Sequence, residues 1–167
     1  VKARHPQVSI LGGSTNVIGT GFLEEIFRRG GLPFMDGVVV HPYRSTAETV
    51  EIEFDRLKEA MRRHGPEKPI WATEFSDNFA TAEDAAPHLI KMVALMAASD
   101  VDHAYWYALR DQQWFRHMGL LTEKGAQKPA AEAFALAQSL LAAGKATRDV
   151  GEPLLYHIRF GETAHVV

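Results

Sequence analysis

The 167-residue chain has no cysteine, which excludes disulfides, thiolate metal sites, thiol nucleophiles and cysteine-held iron–sulfur clusters. That absence leaves the compartment open, and a zinc site would need histidine and carboxylate ligands alone. Basic charge is not in excess either, since 18 Lys and Arg stand against 21 Asp and Glu for a formal charge of -3. No whole-chain positive field exists to hold a nucleic-acid backbone or an anionic membrane surface. Long apolar runs are also missing. The most apolar stretch, Leu89 to Ala98, carries Lys91 and falls far short of the roughly 20 residues that span a bilayer. Neither an initiator Met nor the basic-then-apolar layout of a secretory signal opens the chain, so secreted, periplasmic and cytoplasmic locations all stay open. Val1 to His5 carries basic residues before Pro6 and reads as the last turn of a helix, so the expectation is a start in mid-fold.

What is present is ordinary for a globular domain: 46% of residues are hydrophobic and 23% charged. An apolar run at Val8 to Leu11 reads as a strand ending at Gly12-Gly13-Ser14, and a helix follows from Gly21 to Arg29 before Gly30-Gly31. The unit then repeats. A strand at Gly37 to Val40 ends at His41-Pro42-Tyr43, and Ala47 to His64 carries Val50, Phe54, Leu57 and Met61 at helical spacing. A third strand, Pro69 to Thr73, ends at Glu74-Phe75-Ser76, and its helix runs from about Ala82 to Ala98. A fourth, His103 to Tyr107, is followed by a helix from Pro129 to Ala143 with proline in the first turn.

The strand starts recur about every 30 residues, the length of one strand-plus-helix crossover, which predicts parallel strands with right-handed connections up to Gly144. The uninterrupted Val, Ile and Trp runs predict a sheet covered on both faces. Beyond Gly144, Leu154 to Phe160 and Thr163 to Val167 read as a hairpin around Gly161-Glu162 with little core of its own. Periodicity is compatible both with a small doubly wound sheet and with half of an eight-stranded barrel. For the former, Gly19-Thr20-Gly21 completes neither dinucleotide nor P-loop pattern, so no cofactor is expected.

Ligands of parallel α/β folds meet the C-terminal strand ends, which here present Ser14 and Thr15, His41 and Tyr43, Glu74, and Trp106 with Tyr107. Glu74 is the sharpest of these, because a strand rigidly aims a group that must attack or stabilise a carbon centre, although a solvated strand-end carboxylate is the plain alternative. His41, before Pro42, reads either as a structural histidine or as a substrate contact. Trp106 reads as wall packing or as a flat apolar face for a ligand. Trp114, Asp111 and Gln112 sit on the following loop, where solvation is the default. The eight histidines are scattered, with no HExxH and no helical i, i+4 pair, so no metal is expected. Ser14 lacks a GxSxG setting, which leaves a serine hydrolase unsupported.

Gly37-Val38-Val39-Val40-His41-Pro42-Tyr43, Pro69-Ile70-Trp71-Ala72-Thr73-Glu74-Phe75, Tyr105-Trp106-Tyr107 and Gly119-Leu120-Leu121 with Lys128-Pro129 resemble strands six to eight of clan A glycoside hydrolases, families 39 and 5 above all. The resemblance covers roughly residues 8 to 140. It implies the C-terminal half, strands five to eight, of a (β/α)8 TIM barrel at residues 1–144, followed by the start of a small β-rich region at 145–167. It implies a retaining O-glycosidase acting on an oligo- or polysaccharide, with Glu74 as nucleophile, Trp106 as the floor of the sugar subsite, and His41 and Tyr43 beside the nucleophile. The acid/base partner in that clan is the Glu of an Asn-Glu pair ending strand four. No such pair occurs here, since Asn16 and Asn78 precede Val17 and Phe79. The chain would then need the N-terminal half of the barrel or a second chain. In the contrasting reading it is a non-catalytic carbohydrate-binding or half-barrel interaction module.

Overall fold

The computed structural model describes residues 1–151 and 155–167. Four strands, β1 (Leu11–Thr15), β2 (Gly37–Val40), β3 (Ile70–Phe75) and β4 (His103–Trp106), alternate with helices α1 (Thr20–Arg28), α2 (Val50–His64), α3 (Ala85–Ala98) and α4 (Pro129–Ala142). All neighbouring strands are parallel and their spatial order is β1-β2-β3-β4, the order of the chain. Right-handed crossovers in that order place every helix on one face of the sheet, where α1 packs on α2, α2 on α3 and α3 on α4. A doubly wound sheet would reverse its strand order at a switch point. This sheet does not reverse, so it is singly wound, yet it stays open with β1 and β4 at its edges.

The helices form where their apolar residues share a stripe. Val50, Phe54, Leu57 and Met61 of α2 are fully buried, and Arg62, Arg63 and His64 close its last turn, where cations complement the carbonyl end. They pack with Leu23 and Phe27 of α1, Met92, Leu95 and Met96 of α3, and Val38, Val40, Ile70, Ala72 and Phe75 of the sheet.

Two expectations are corrected and a third is extended. The first strand is Leu11–Thr15 and not Val8 to Leu11. Pairing can begin only at Leu11, opposite Gly37, and the preceding Ile10 N–H is held by the Asp36 carboxylate at 2.7 Å. The glycines lie inside the strand because a side chain at Gly13 would collide with the carbonyl oxygen of Val39. Helices cover one face of the sheet rather than two: in β3 Ile70 and Ala72 are buried while Trp71 and Thr73 are partly open, although β2 is buried throughout and β4 is exposed from His103 to Tyr105. On that open side Trp71 stacks on His103 with ring centroids 3.7 Å apart. Lastly, the C-terminal hairpin, present as β6 (His157–Phe160) and β7 (Ala164–Val166), belongs to a three-stranded antiparallel sheet with β5 (Ala146–Asp149). Leu154, expected to begin it, lies outside the described residues.

This small sheet shares the main core instead of forming its own, through Ala146, Ile158 and Phe160. Its outer tie is Glu51 of α2, which accepts hydrogen bonds from Arg148 at 2.8 Å and from the Tyr156 hydroxyl at 3.2 Å. Among the described residues no helix is long and apolar enough to cross a membrane.

Candidate active site

Glu74 stands at the C-terminal end of β3, where strand regularity breaks. β3 pairs Ala72 with Ala104 and then Phe75 with Trp106, so it holds one residue more than β4 across that interval. Such a bulge re-aims a side chain. Thr73 and Glu74 are both partly open in succession, while Ala72 and Phe75 on either side stay buried. Without the extra residue, strict alternation would put Glu74 on the helix side with Ala72.

Two side chains from the end of β2 reach it. The Tyr43 hydroxyl donates to Glu74 Oε2 at 2.6 Å, and His41 Nδ1 lies 3.8 Å from the same oxygen. The other ring nitrogen of His41, Nε2, is 2.9 Å from Thr73 Oγ1. Burial, together with the hydrogen bond to the Glu74 carboxylate, holds the Tyr43 hydroxyl above its ordinary value, so it remains a donor at neutral pH. The Glu74 side chain keeps 38% of its surface exposed, so one carboxylate oxygen is anchored and the group is still reachable. Tyr43 is steadied by its neighbour Arg44, whose guanidinium pairs with Glu53 at 2.6 Å and bonds to the Glu48 carbonyl at 2.9 Å and Thr49 Oγ1 at 3.0 Å.

His41, Tyr43 and Glu74 therefore converge. Trp106 packs largely into the wall: its ring meets Phe75 edge-on and lies parallel to Phe79, and its indole N–H donates to the Met118 carbonyl at 2.8 Å. These are the contacts of a ring packed into the wall. The aromatic that borders the site is Tyr107, edge-on to Tyr43 at 6.4 Å, which the sequence reading places at the strand end without giving it a role. Strand parity was the available signal, because Tyr105 and Tyr107 alternate with Trp106. Gln112 Nε2 donates to the Tyr107 hydroxyl at 2.7 Å, so the loop after β4 braces this ring. That loop is fixed by a buried pair, Lys128 Nζ to Asp111 Oδ1 at 2.5 Å. Trp114, on the same loop, is largely exposed.

A strand-end carboxylate, anchored on one oxygen by a phenol and open on the other, can act as a nucleophile or stabilise a developing cation. Among the described residues no group of three or more histidines and carboxylates is placed to hold a metal ion.

The fold has solved counterparts. A family 39 glycoside hydrolase from the gut symbiont Bacteroides cellulosilyticus superposes with a TM-score of 0.80 at 22% identity, covering 98% of this chain and 40% of that one. An exo-β-1,3-glucanase of family 128 from Aureobasidium namibiae gives 0.60 at 9% identity, covering 78% and 54%. An intracellular xylanase from Thermoanaerobacterium saccharolyticum gives 0.58 at 12% identity, covering 79% and 45%. The chain thus spans less than half the length of the family 39 structure. A search of curated proteins finds no match. The glycosyl hydrolase catalytic core family model matches residues 4–134, the whole stretch that builds the parallel sheet and the Glu74 end of β3, and the chain belongs to that family.

Proposed function

We propose that residues 1–144 are strands five to eight of the (β/α)8 barrel of a retaining O-glycosidase, with residues 145–167 beginning an accessory β-rich region. Among the described residues, singly wound topology, helices on one face and two unpaired sheet edges support this reading, since a second set of βα units would cover the open face and pair both edges. The observation that carries the chemistry is the 2.6 Å hydrogen bond from Tyr43 to a Glu74 re-aimed by the β3 bulge.

In this mechanism Glu74 attacks the anomeric carbon as the bond to the leaving oxygen breaks, forming a glycosyl ester that water then hydrolyses. The proton for the leaving group comes from a second carboxyl roughly 5 Å from the first, supplied by the other half of the barrel. Tyr43 holds the carboxylate in its attacking position. His41, steadied by Thr73, offers a ring nitrogen to a sugar hydroxyl. Trp106 borders the subsite only by the edge that its packing leaves free, and Tyr107 supplies the aromatic wall next to Tyr43.

The test uses a leaving group that needs no acid. Incubation with 2,4-dinitrophenyl 2-deoxy-2-fluoro glycosides of glucose, xylose and mannose should leave a stable sugar ester detectable by intact mass. Peptide mapping should place it on Glu74, and Glu74→Gln should stay unlabelled. Labelling at another residue, or none with any of the sugars at millimolar concentration, overturns the assignment.

A further inference from the structure

The connection from β2 to α2, residues 41–49, carries Tyr43 and lies in no helix or strand. Its shape depends on Arg44, whose side chain folds back along it. The guanidinium donates to the Thr46 carbonyl, to the Glu48 carbonyl at 2.9 Å and to Thr49 Oγ1 at 3.0 Å, and it pairs with Glu53 in the first turn of α2 at 2.6 Å. Where Thr49 stands therefore decides where Arg44 and its neighbour Tyr43 stand.

Thr49 precedes α2 with a φ of +71°, a left-handed conformation that a β-branched residue rarely adopts. A threonine at this position ordinarily turns its hydroxyl onto the first free N–H groups of the helix, but this one makes no such cap and gives its oxygen to Arg44. Such a conformation persists only where its surroundings over-determine it. One of the groups that hold it is 107 positions away in sequence: the Tyr156 hydroxyl accepts the Thr49 N–H at 3.3 Å. Tyr156 is itself held. Its hydroxyl donates to Glu51 Oε1 at 3.2 Å, the same oxygen takes Arg148 Nη1 at 2.8 Å, and the Arg148 guanidinium lies 4.3 Å from the centre of the Tyr156 ring. Just beyond it, Ile158 and Phe160 of β6 are locked in the main core. Among the described residues, the other side-chain bond that reaches residues 44–49 from beyond α2 is Lys91 to Glu48, an exposed ion pair of the kind that fixes little.

We infer that Tyr156, in the accessory sheet, is a positioning residue for the Tyr43–Glu74 pair, acting through Thr49 and Arg44. The inference rests on the glycosidase reading above, and it extends the site to a part of the chain beyond residues 4–134 of the family match. The Tyr156 hydroxyl sets where the Arg44 side chain closes on the connection, and so how squarely the Tyr43 hydroxyl meets Glu74 Oε2.

Tyr156→Phe tests it, because the ring stays beside Arg148 and only the hydroxyl goes. In trapping with the fluoroglycosides, the rate constant at saturation should fall about fivefold with the half-saturating concentration unchanged, since a shift of well under 1 Å is at stake where a full 1 Å costs about a hundredfold. The urea midpoint should stay within about 0.5 M of the parent, the effect of one neutral hydrogen bond. In a Tyr43→Phe chain the same substitution should change the rate by less than about 1.5-fold, because the link it acts through is already gone. By NMR, Tyr156→Phe should speed exchange of the Thr49 amide and shift the Tyr43 ring signals, a readout that needs no sugar. A slowing that persists undiminished in the Tyr43→Phe chain makes Tyr156 merely structural and overturns the inference. Tyr43 ring signals that do not move overturn it as well, as does an unchanged trapping rate in a chain whose parent is labelled at Glu74. A parent that is never labelled, with Tyr43 signals that do move in Tyr156→Phe, overturns the glycosidase reading and leaves the link from Tyr156 to Tyr43 standing.

Discussion

Lys128→Met should destabilise the chain by about 3 kcal/mol, at the low end of the 3–5 kcal/mol typical of breaking a buried ion pair. The Lys128 and Asp111 side chains are 5% and 10% exposed, so removing the ammonium leaves a carboxylate cut off from water. The low end applies because Asp111 Oδ1 keeps the Gly119 N–H at 2.8 Å. In urea, with a slope of roughly 1.5–2 kcal/mol/M for a domain of this size, the midpoint should fall by about 1.5–2 M. Adding Asp111→Asn to the Lys128→Met chain removes the stranded charge and should restore most of the loss, to within about 1 kcal/mol of the parent. The amides of Asp111 and Gly119, which bond to the Leu121 carbonyl and the Asp111 carboxylate, should exchange faster in the single variant than in the double. A single-variant loss below about 1 kcal/mol, the level of an exposed pair, would refute the reasoning. So would a double variant less stable than the single. The loop matters beyond stability, because it carries the Gln112 amide that braces Tyr107 against Tyr43.

Other outcomes follow from the same contacts. Tyr43→Phe should slow covalent trapping at Glu74 about tenfold, the effect of losing roughly 1.4 kcal/mol of a charge-assisted hydrogen bond, and an unchanged rate in stopped-flow release of dinitrophenolate would contradict it. Gly13→Ala should cost several kcal/mol in urea melts, since its φ is +114° and its new side chain meets the Val39 backbone. Gly12→Ala should cost less, because only the flexible Met35 side chain stands in the way, and equal losses would show that the two glycines are held alike. Burial holds the His88 imidazole below its ordinary value, more strongly than Asp77 and Glu48 raise it. The unfolded chain then takes up a proton near pH 6.5 while the folded one does not, so the stability linked to His88 is complete above that pH and declines below it. His88→Leu should flatten the urea midpoint between pH 6.5 and 5 relative to the parent, and parallel profiles would rule out the linkage. With both edges of the parallel sheet unpaired among the described residues, the chain should associate as concentration rises in light scattering, and a monomer throughout with exchange-protected β1 and β4 amides would overturn this.

The helices and the central strand were legible because burial alone dictates them. Val50, Phe54, Leu57 and Met61 can share a side only on a helix, and Gly37-Val38-Val39-Val40 has no polar residue to expose. Glu74 and Tyr43 were legible as strand-end residues because parallel strands all finish at one face. The boundaries that failed depend on partners distant in sequence. β1 could not be placed without knowing that its glycines make way for Val39, and β5, Ala-Thr-Arg-Asp, is a strand only because Phe160 and Ile158 lie opposite it. Trp106 and Tyr107 differ by one residue of parity, and it is Tyr107 that lies edge-on to Tyr43. That parity is set by how β4 pairs with a bulged neighbour, a register that no local pattern on β4 records.

The candidate site is built from two irregularities in the sheet more than from its loops. β1 gains a residue between Gly13 and Thr15, with Ser14 at a φ of +58°, and β3 gains one between Ala72 and Phe75. β2 runs regularly between these two strands. The extra residue in β1 carries Thr15 far enough for its carbonyl to accept the His41 N–H at 2.8 Å, so pairing continues one step past Val40. The extra residue in β3 brings Thr73 and Glu74 out together, and Thr73 then meets the His41 ring while Glu74 meets Tyr43. His41 is thus held by its backbone from one side and by its ring from the other, and the turn His41-Pro42-Tyr43 leaves from a fixed point. A loop would have to spend binding energy to order these groups, whereas strands joined by ladder hydrogen bonds have already paid that conformational cost in folding. The same two bulges tie the geometry at Glu74 to the pairing of the sheet, so perturbing either edge strand reaches the carboxylate through β2 and β3 without touching it.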